Sequence, residues 1–158
     1  MQTRVCQEPE LAALDKHLDV FYRKAMDTFP DDEIAGLQAD QRSWIAGRDD
    51  CWKTADFSGC VTTEYERRIT ELEIAVADMI VPAAAVFLCE SGATVSAYFY
   101  NETRFDSLVI NRGPDQALLY RVRSASGAKY EGQNVAFWQK GTSAQMEWNG
   151  EKNACRLQ

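Results

Sequence analysis

The chain has 158 residues, 46% of them hydrophobic, and a formal net charge of −7, a composition that excludes a disordered chain and a length that admits one domain or two small ones. The longest apolar run, Met79 to Leu88, contains Pro82 and falls well short of the roughly 20 apolar residues a membrane-spanning helix needs. Charge is uneven: residues 1–82 carry 9 Lys and Arg against 17 Asp and Glu, and residues 83–158 carry 8 against 7. An acidic first half disfavours nucleic acid and favours a cationic partner, although a solvated helical surface explains the same charge. Five cysteines lie at 6, 51, 60, 89 and 155, with no C-x-x-C pair and a single histidine, His17. That set makes no common zinc site; it reads as a disulfide framework with one cysteine left over, in an extracytoplasmic compartment. Met1 is followed directly by Gln-Thr-Arg-Val-Cys, which lacks the apolar core of a signal peptide, so a mature or trimmed chain is expected.

In chain order, Leu11, Leu14, Leu18, Phe21, Tyr22 and Ala25 fall on one helical face. Pro9 suits its first turn and Glu10 complements its dipole. Pro30 stops this helix, and Asp31 or Asp32 can cap the next, whose predicted inner face is Ile34, Leu37, Trp44, Ile45 and Trp52. Thr54 to Gly59 is predicted as a loop, across which Cys51 and Cys60 can form a local disulfide. A third helix carries Val61, Tyr65, Ile69, Leu72, Val76 and Met79, capped by Thr62 or Thr63. Three such stripes predict a small three-helix antiparallel bundle. Within the second, Gln41, Trp44, Arg48 and Asp49 stand out, and a structural role explains them.

After Ile80-Val81-Pro82-Ala83-Ala84-Ala85 the period changes from 3.6 to 2. The predicted organisation is a helical domain over 1–79, a linker over 80–85 and a β-domain over 86–158. Strands are predicted at 86–90, 94–100, 105–111, 116–123, 135–138, 144–148 and 153–157, with Asn149-Gly150 a hairpin turn. The fold class is therefore α+β with two domains, the second a small antiparallel β-barrel of seven to eight strands. A core that thin calls for a staple, which Cys89 in the first strand and Cys155 in the last can supply. Ser124-Ala125-Ser126-Gly127-Ala128-Lys129-Tyr130 and Phe137-Trp138-Gln139-Lys140-Gly141 read as turns that lift a hydroxyl and an ammonium off an aromatic framework.

Catalysis is not expected. His17 sits mid-helix among Lys16, Leu18 and Asp19, and the carboxylates of the first half, such as Asp49-Asp50, read as solvated charges or partners for Arg42 and Arg48. No phosphate loop, Ser-His-Asp set, metal cluster or cofactor motif occurs.

Two resemblances follow from these residues. Val5-Cys6-Gln7-Glu8-Pro9-Glu10-Leu11-Ala12-Ala13-Leu14-Asp15, Tyr22 and Gln41-Arg42-x-Trp44-Ile45-x-x-Arg48-Asp49-x-Cys51 resemble the LprI-type lysozyme-inhibitor domain, over about residues 2–75. That family consists of small secreted or lipoprotein-borne helical domains. It commonly carries a further cysteine upstream of the one matching Cys6, which would account for the odd count. Phe87-x-Cys89, Ser126-Gly127-Ala128-Lys129-Tyr130, Phe137-Trp138-x-Lys140-Gly141 and Cys155 resemble the family of membrane-bound inhibitors of c-type lysozyme, over about residues 84–158. The resemblance implies an envelope β-barrel whose ends a disulfide joins. It also implies that Ser126 and Lys140 enter the lysozyme cleft and engage its catalytic carboxylates. Gly127 and Gly141 let each loop turn tightly behind its polar tip, and Lys129 and Tyr130 read as rim contacts, Tyr130 equally as a barrel-packing aromatic that holds its loop. The usual Thr-Lys-Gly of the second loop is only partly kept, because Gln139 stands where threonine is expected. The expected partner is thus a c-type lysozyme, at a periplasmic or outer-membrane-anchored location with a possible lipid anchor upstream. An inhibitor acting through the helical domain, or an envelope module for protein or glycan, are the alternatives.

Overall fold

A computed structural model of the chain describes residues 2–76 and 81–158. Four α-helices, not three, make up the first part among the described residues: α1 (Gln2–Gln7), α2 (Pro9–Thr28), α3 (Asp31–Asp49) and α4 (Phe57–Ala75), with a 3-10 turn at Asp50–Lys53. The extra helix, α1, is six residues long, too short for its apolar period to be read. Glu8 is extended and Pro9 restarts the chain as the first residue of α2, where a missing N–H costs nothing.

Two predicted caps are corrected. Pro30 itself takes the cap position of α3, so Asp31, Asp32 and Glu33 all lie in its first turn and act through the dipole instead. Helix α4 begins earlier than Thr62 or Thr63, because Asp56 accepts a hydrogen bond from Gly59 N at 2.9 Å and caps a start at Phe57. The predicted loop over 54–59 is correspondingly shortened.

The helical core is built from Leu11, Leu14, Leu18 and Ala25 of α2 with Val61, Tyr65, Ile69 and Leu72 of α4. Helix α3 contributes only Leu37 and Arg48 as buried residues. Its predicted inner face is therefore corrected: Ile45 is 40% exposed and Trp52, in the 3-10 turn, is 67% exposed. The tight turn after Asp49 breaks the 3.6 period that placed Trp52 on that face. Met79, predicted at the end of the third stripe, and Ile80, at the head of the predicted linker, lie outside the described residues.

The second part is a closed barrel of eight antiparallel strands: β1 (Ala85–Cys89), β2 (Thr94–Tyr100), β3 (Ser107–Arg112), β4 (Asp115–Val122), β5 (Ala128–Gly132), β6 (Val135–Lys140), β7 (Ser143–Trp148) and β8 (Glu151–Leu157). Each strand pairs with the next and β8 returns to β1, which leaves no edge. The strand not predicted is β5. It lies in the stretch expected to be a turn up to Tyr130, and its five residues between Gly127 and Gly132 are too few to display an alternation. The other predicted turn is likewise strand as far as Lys140, and only Gly141 and Thr142 remain between β6 and β7.

Inward-facing residues fill the cylinder, among them Phe87, Leu108, Ile110, Leu119, Phe137 and Met146, with Phe87 and Phe137 edge to face at 5.2 Å. At the seam where β1 meets β8, Cys89 and Cys155 are directly opposed and joined by a disulfide. Closing a loop of that length stabilises the fold by about 4 kcal/mol on the chain-entropy estimate. Cys51 and Cys60 form a second disulfide, and Cys6 is exposed and free. Contacts divide the chain into two compact units, Met1–Met79 and Ile80–Gln158.

Candidate functional site

Up-and-down closure places the β4–β5 loop and the β6–β7 turn at the same end of the barrel, because β4 and β6 both run toward it. Pairing of Ala128 with Gln139 sets the two connections side by side. Gly127 allows the closest approach: a Cβ there would stand 2.3 Å from Gln139 O and 2.8 Å from Lys140 Cγ, and its φ is +69°. Any other residue would push the loops apart or strain the backbone. Gly141 is needed for a different reason, since its φ is +59° but a Cβ there would meet nothing.

Ser126, in the β4–β5 loop, and Lys140, the last residue of β6, are both exposed and lie on neighbouring connections. Ser124 Oγ donates to Gly127 O at 3.0 Å, so the β4–β5 loop is braced from within. Trp138 Nε1 donates to Ser126 O at 2.8 Å, and the Lys140 ammonium sits 3.9 Å from the centre of the Trp138 ring, a cation–π contact. One side chain thus holds both loops. Trp138 read from sequence as framework only; the available signal was its place two residues before Lys140, on the same face of a strand. Gln139 Nε2 donates to Gly141 O at 2.9 Å, so the residue that departs from the expected threonine closes its own turn.

Lys129 is half-buried and ion-paired with Glu131 along β5. Tyr130 is not on the loop surface. It is 2% exposed, packs on Phe99 at 5.6 Å between ring centres, and carries the Arg121 guanidinium 5.5 Å above its ring. The structure therefore brings together Ser126, Gly127, Lys140 and Gly141, sets Lys129 beside them, and places Tyr130 in the barrel core.

The conspicuous helical motif has the opposite fate. Gln41 Oε1 accepts from Arg68 Nε at 3.0 Å, and Trp44 Nε1 donates to Glu64 O at 3.0 Å. Arg48, 5% exposed, donates through Nη1 to Tyr65 OH at 3.0 Å and through Nε and Nη2 to Asp49. Tyr65 OH in turn donates to Asp15 at 2.7 Å. Burial is the main cause that pushes the Tyr65 phenol up to about 12, followed by the hydrogen bond to Asp15; Arg48 pulls the other way. Gln41, Trp44 and Arg48 thus tie α3 to α4, Tyr65 ties α4 to α2, and the Cys51–Cys60 bridge ties the 3-10 turn to α4. Among the described residues, no group of three or more His, Cys, Asp or Glu is placed to hold a metal ion, and no helix is long and apolar enough to cross a membrane.

This arrangement defines a class: a helical unit joined to a closed barrel that displays a serine and a lysine on adjoining loops. Residues 87–154 match the family described as membrane-bound lysozyme-inhibitor of c-type lysozyme, and residues 1–72 match the family described as lysozyme inhibitor LprI. The β unit thus resembles the first family and the helical unit the second. Over nearly its whole length the chain is also similar to lipoprotein LprI of Mycobacterium bovis and of Mycobacterium tuberculosis, at 29% identity over 157 residues, 99% of this chain and 78% of each relative. A solved structure, Pseudomonas aeruginosa MliC in complex with hen egg white lysozyme, aligns at 23% identity and a TM-score of 0.38, covering 52% of this chain and 96% of that one.

Proposed function

We propose that this chain is a non-enzymatic protein inhibitor of c-type lysozyme that inserts its β4–β5 and β6–β7 loops into the lysozyme cleft. The observation that carries the reading is the pairing of exposed Ser126 with exposed Lys140 on loops seated together by Gly127. The matches to two families described as lysozyme inhibitors support it. A lysozyme of this class works with two carboxyl groups flanking the scissile bond, one protonated and one ionised. A lysine ammonium between them forms charge-assisted hydrogen bonds, each contributing about 1.5–3 kcal/mol. A serine hydroxyl donates to the ionised carboxylate and accepts from the protonated one. Lys140 leaves the Trp138 face to make these bonds, exchanging a cation–π contact of about 0.5–1 kcal/mol for stronger partners.

In this reading residues 86–158 are the inhibitory domain, residues 80–85 the linker and residues 1–79 a separate domain that does not contact the cleft. The helical alternative is disfavoured because the motif side chains are engaged within the unit. The lipoprotein relatives support an extracytoplasmic, envelope-associated location. The test is hydrolysis of bacterial cell walls by hen egg-white lysozyme with the full chain present. Inhibition is expected for the wild type, with loss for Lys140→Ala and Ser126→Ala. Unchanged inhibition in both variants rejects the cleft-plug mechanism, and inhibition lost by residues 84–158 alone, if folded, assigns the activity to the helical domain.

A further inference from the structure

The barrel's charges are segregated by end, which neither its net charge nor its sequence order displays. Strand direction places Arg104, Arg121, Arg123, Lys129, Lys140 and Arg156 at the end that carries the Ser126 and Lys140 loops, opposed by Glu102, Asp106 and, through its ion pair with Lys129, Glu131. At the other end two cations, Arg112 and Lys152, face four carboxylates, those of Glu90, Asp115, Glu147 and Glu151. The loop end therefore carries a formal +3 and the far end −2, although the β unit as a whole is nearly neutral.

The two ends also differ in how their charges are used. Both far-end cations are ion-paired, Arg112 with Glu151 at 2.9 Å and Lys152 with Glu147 at 3.8 Å. At the loop end, Arg121, Arg123 and Arg156 are exposed. Arg121 stands over the Tyr130 ring at 5.5 Å, which fixes a cation at the mouth of the barrel close to the Ser126 loop. Screening at physiological ionic strength limits each charge to about 8 Å. Within the β unit, a docking partner therefore feels chiefly the charges of the end it touches.

We propose that this arginine rim is a specificity surface, which reads carboxylates bordering the partner's cleft and so decides which lysozymes the two loops engage. The proposal rests on the inhibitory reading above and adds the chemistry of the partner to it: a protein with an acidic cleft border. A nucleic acid or another extended polyanion is disfavoured by the acidic helical unit on the same chain. Rim charges of this kind act chiefly on association rate and its salt dependence.

The test uses the full chain and hen egg-white lysozyme. Arg123→Glu and Arg156→Glu reverse exposed charges at the loop end, Lys152→Glu makes the same charge change at the far end, and Lys140→Ala reports on the loops. Each loop-end reversal is expected to weaken inhibition roughly tenfold at low salt and to flatten the fall of the association rate with salt, while Lys152→Glu stays within about twofold of wild type. Loss of inhibition in Lys140→Ala alone, with both reversals indistinguishable from Lys152→Glu, overturns the rim and leaves the loop reading intact. Absence of inhibition by the wild type overturns both. If the reversals abolish binding to phosphatidylglycerol vesicles but leave inhibition unchanged, the rim serves an anionic surface and the proposal is wrong.

Discussion

Each half of this molecule carries a short, aromatic and charged signature, and the two are spent in opposite directions. In the helical unit Gln41, Trp44 and Arg48 turn inward and bind Arg68, Glu64 and Tyr65. In the β unit the signature around Ser126 and Lys140 turns outward, with one tryptophan behind it. The difference teaches that a conspicuous motif is a site only where the fold leaves its polar groups unused. A helix three turns into a bundle satisfies such groups against its neighbours. At the end of the closed barrel, Ser126 and Lys140 are left exposed.

The comparison can be broken or sharpened by experiment. The largest expected effect is on the staples. Replacing Cys89 and Cys155 by alanine lowers the stability of the β unit by about 4 kcal/mol, against about 2.5 kcal/mol for the shorter Cys51–Cys60 loop. Urea unfolding under oxidising conditions measures both, and equal losses would contradict the seam's larger role. Next, Arg48→Ala removes a buried guanidinium from Tyr65 and Asp49 and costs the helical unit about 3 kcal/mol, with inhibition of lysozyme unchanged. Inhibition lost while the helices remain folded would make the inward motif a site after all.

Alkaline unfolding probes the same network. Tyr65 ionises at about 12 in the folded chain, against about 10 for an unperturbed phenol. The folded state therefore keeps a proton that the unfolded chain has lost, and the associated stability, present below about pH 10, disappears as pH rises through about 12. The loss amounts to about 2–3 kcal/mol, and Tyr65→Phe should abolish this step in a pH series of thermal melts. On the outward motif, Lys140→Ala is expected to weaken inhibition by about 2 kcal/mol, roughly thirtyfold, with no shift in melting temperature. Smallest is Trp138→Phe, which keeps a ring for Lys140 but loses the N–H to Ser126 O, for about 1 kcal/mol in inhibition. An effect of Trp138→Phe equal to that of Lys140→Ala would mean that loop position, and not the ammonium, dominates.

Much of the fold was legible because it rests on local periodicity. The stripes of α2 and α4, the Pro9 and Pro30 boundaries, and seven of the eight strands all follow from residues close together in the chain. What was not legible has identifiable causes. Helix α1 and strand β5 are too short to show a period. Ile45 and Trp52 continued an apolar stripe on paper, but Ile45 falls on the exposed side of α3 and the 3-10 turn at Asp50–Lys53 carries Trp52 out to solvent. Tyr130 read from sequence as either a rim contact or a packing aromatic, and alternation along β5 decides for the barrel while Lys129 stays outside.

The site divides in the same way. Ser126, Gly127, Lys140 and Gly141 could be picked out by residue type and by their resemblance to a known pattern. The sequence by itself determined the change from helical to strand period, the cysteines available for the two staples, and the polar turns with their glycines. Only the tertiary structure decided which signature faces solvent, that Gly127 packs on the end of β6, that Trp138 holds both loops, and that six of the barrel's eight cations crowd the loop end. Periodicity relates a residue to neighbours a few positions away. Barrel closure and register bring together residues that are far apart in the chain, and no local rule encodes which ones meet.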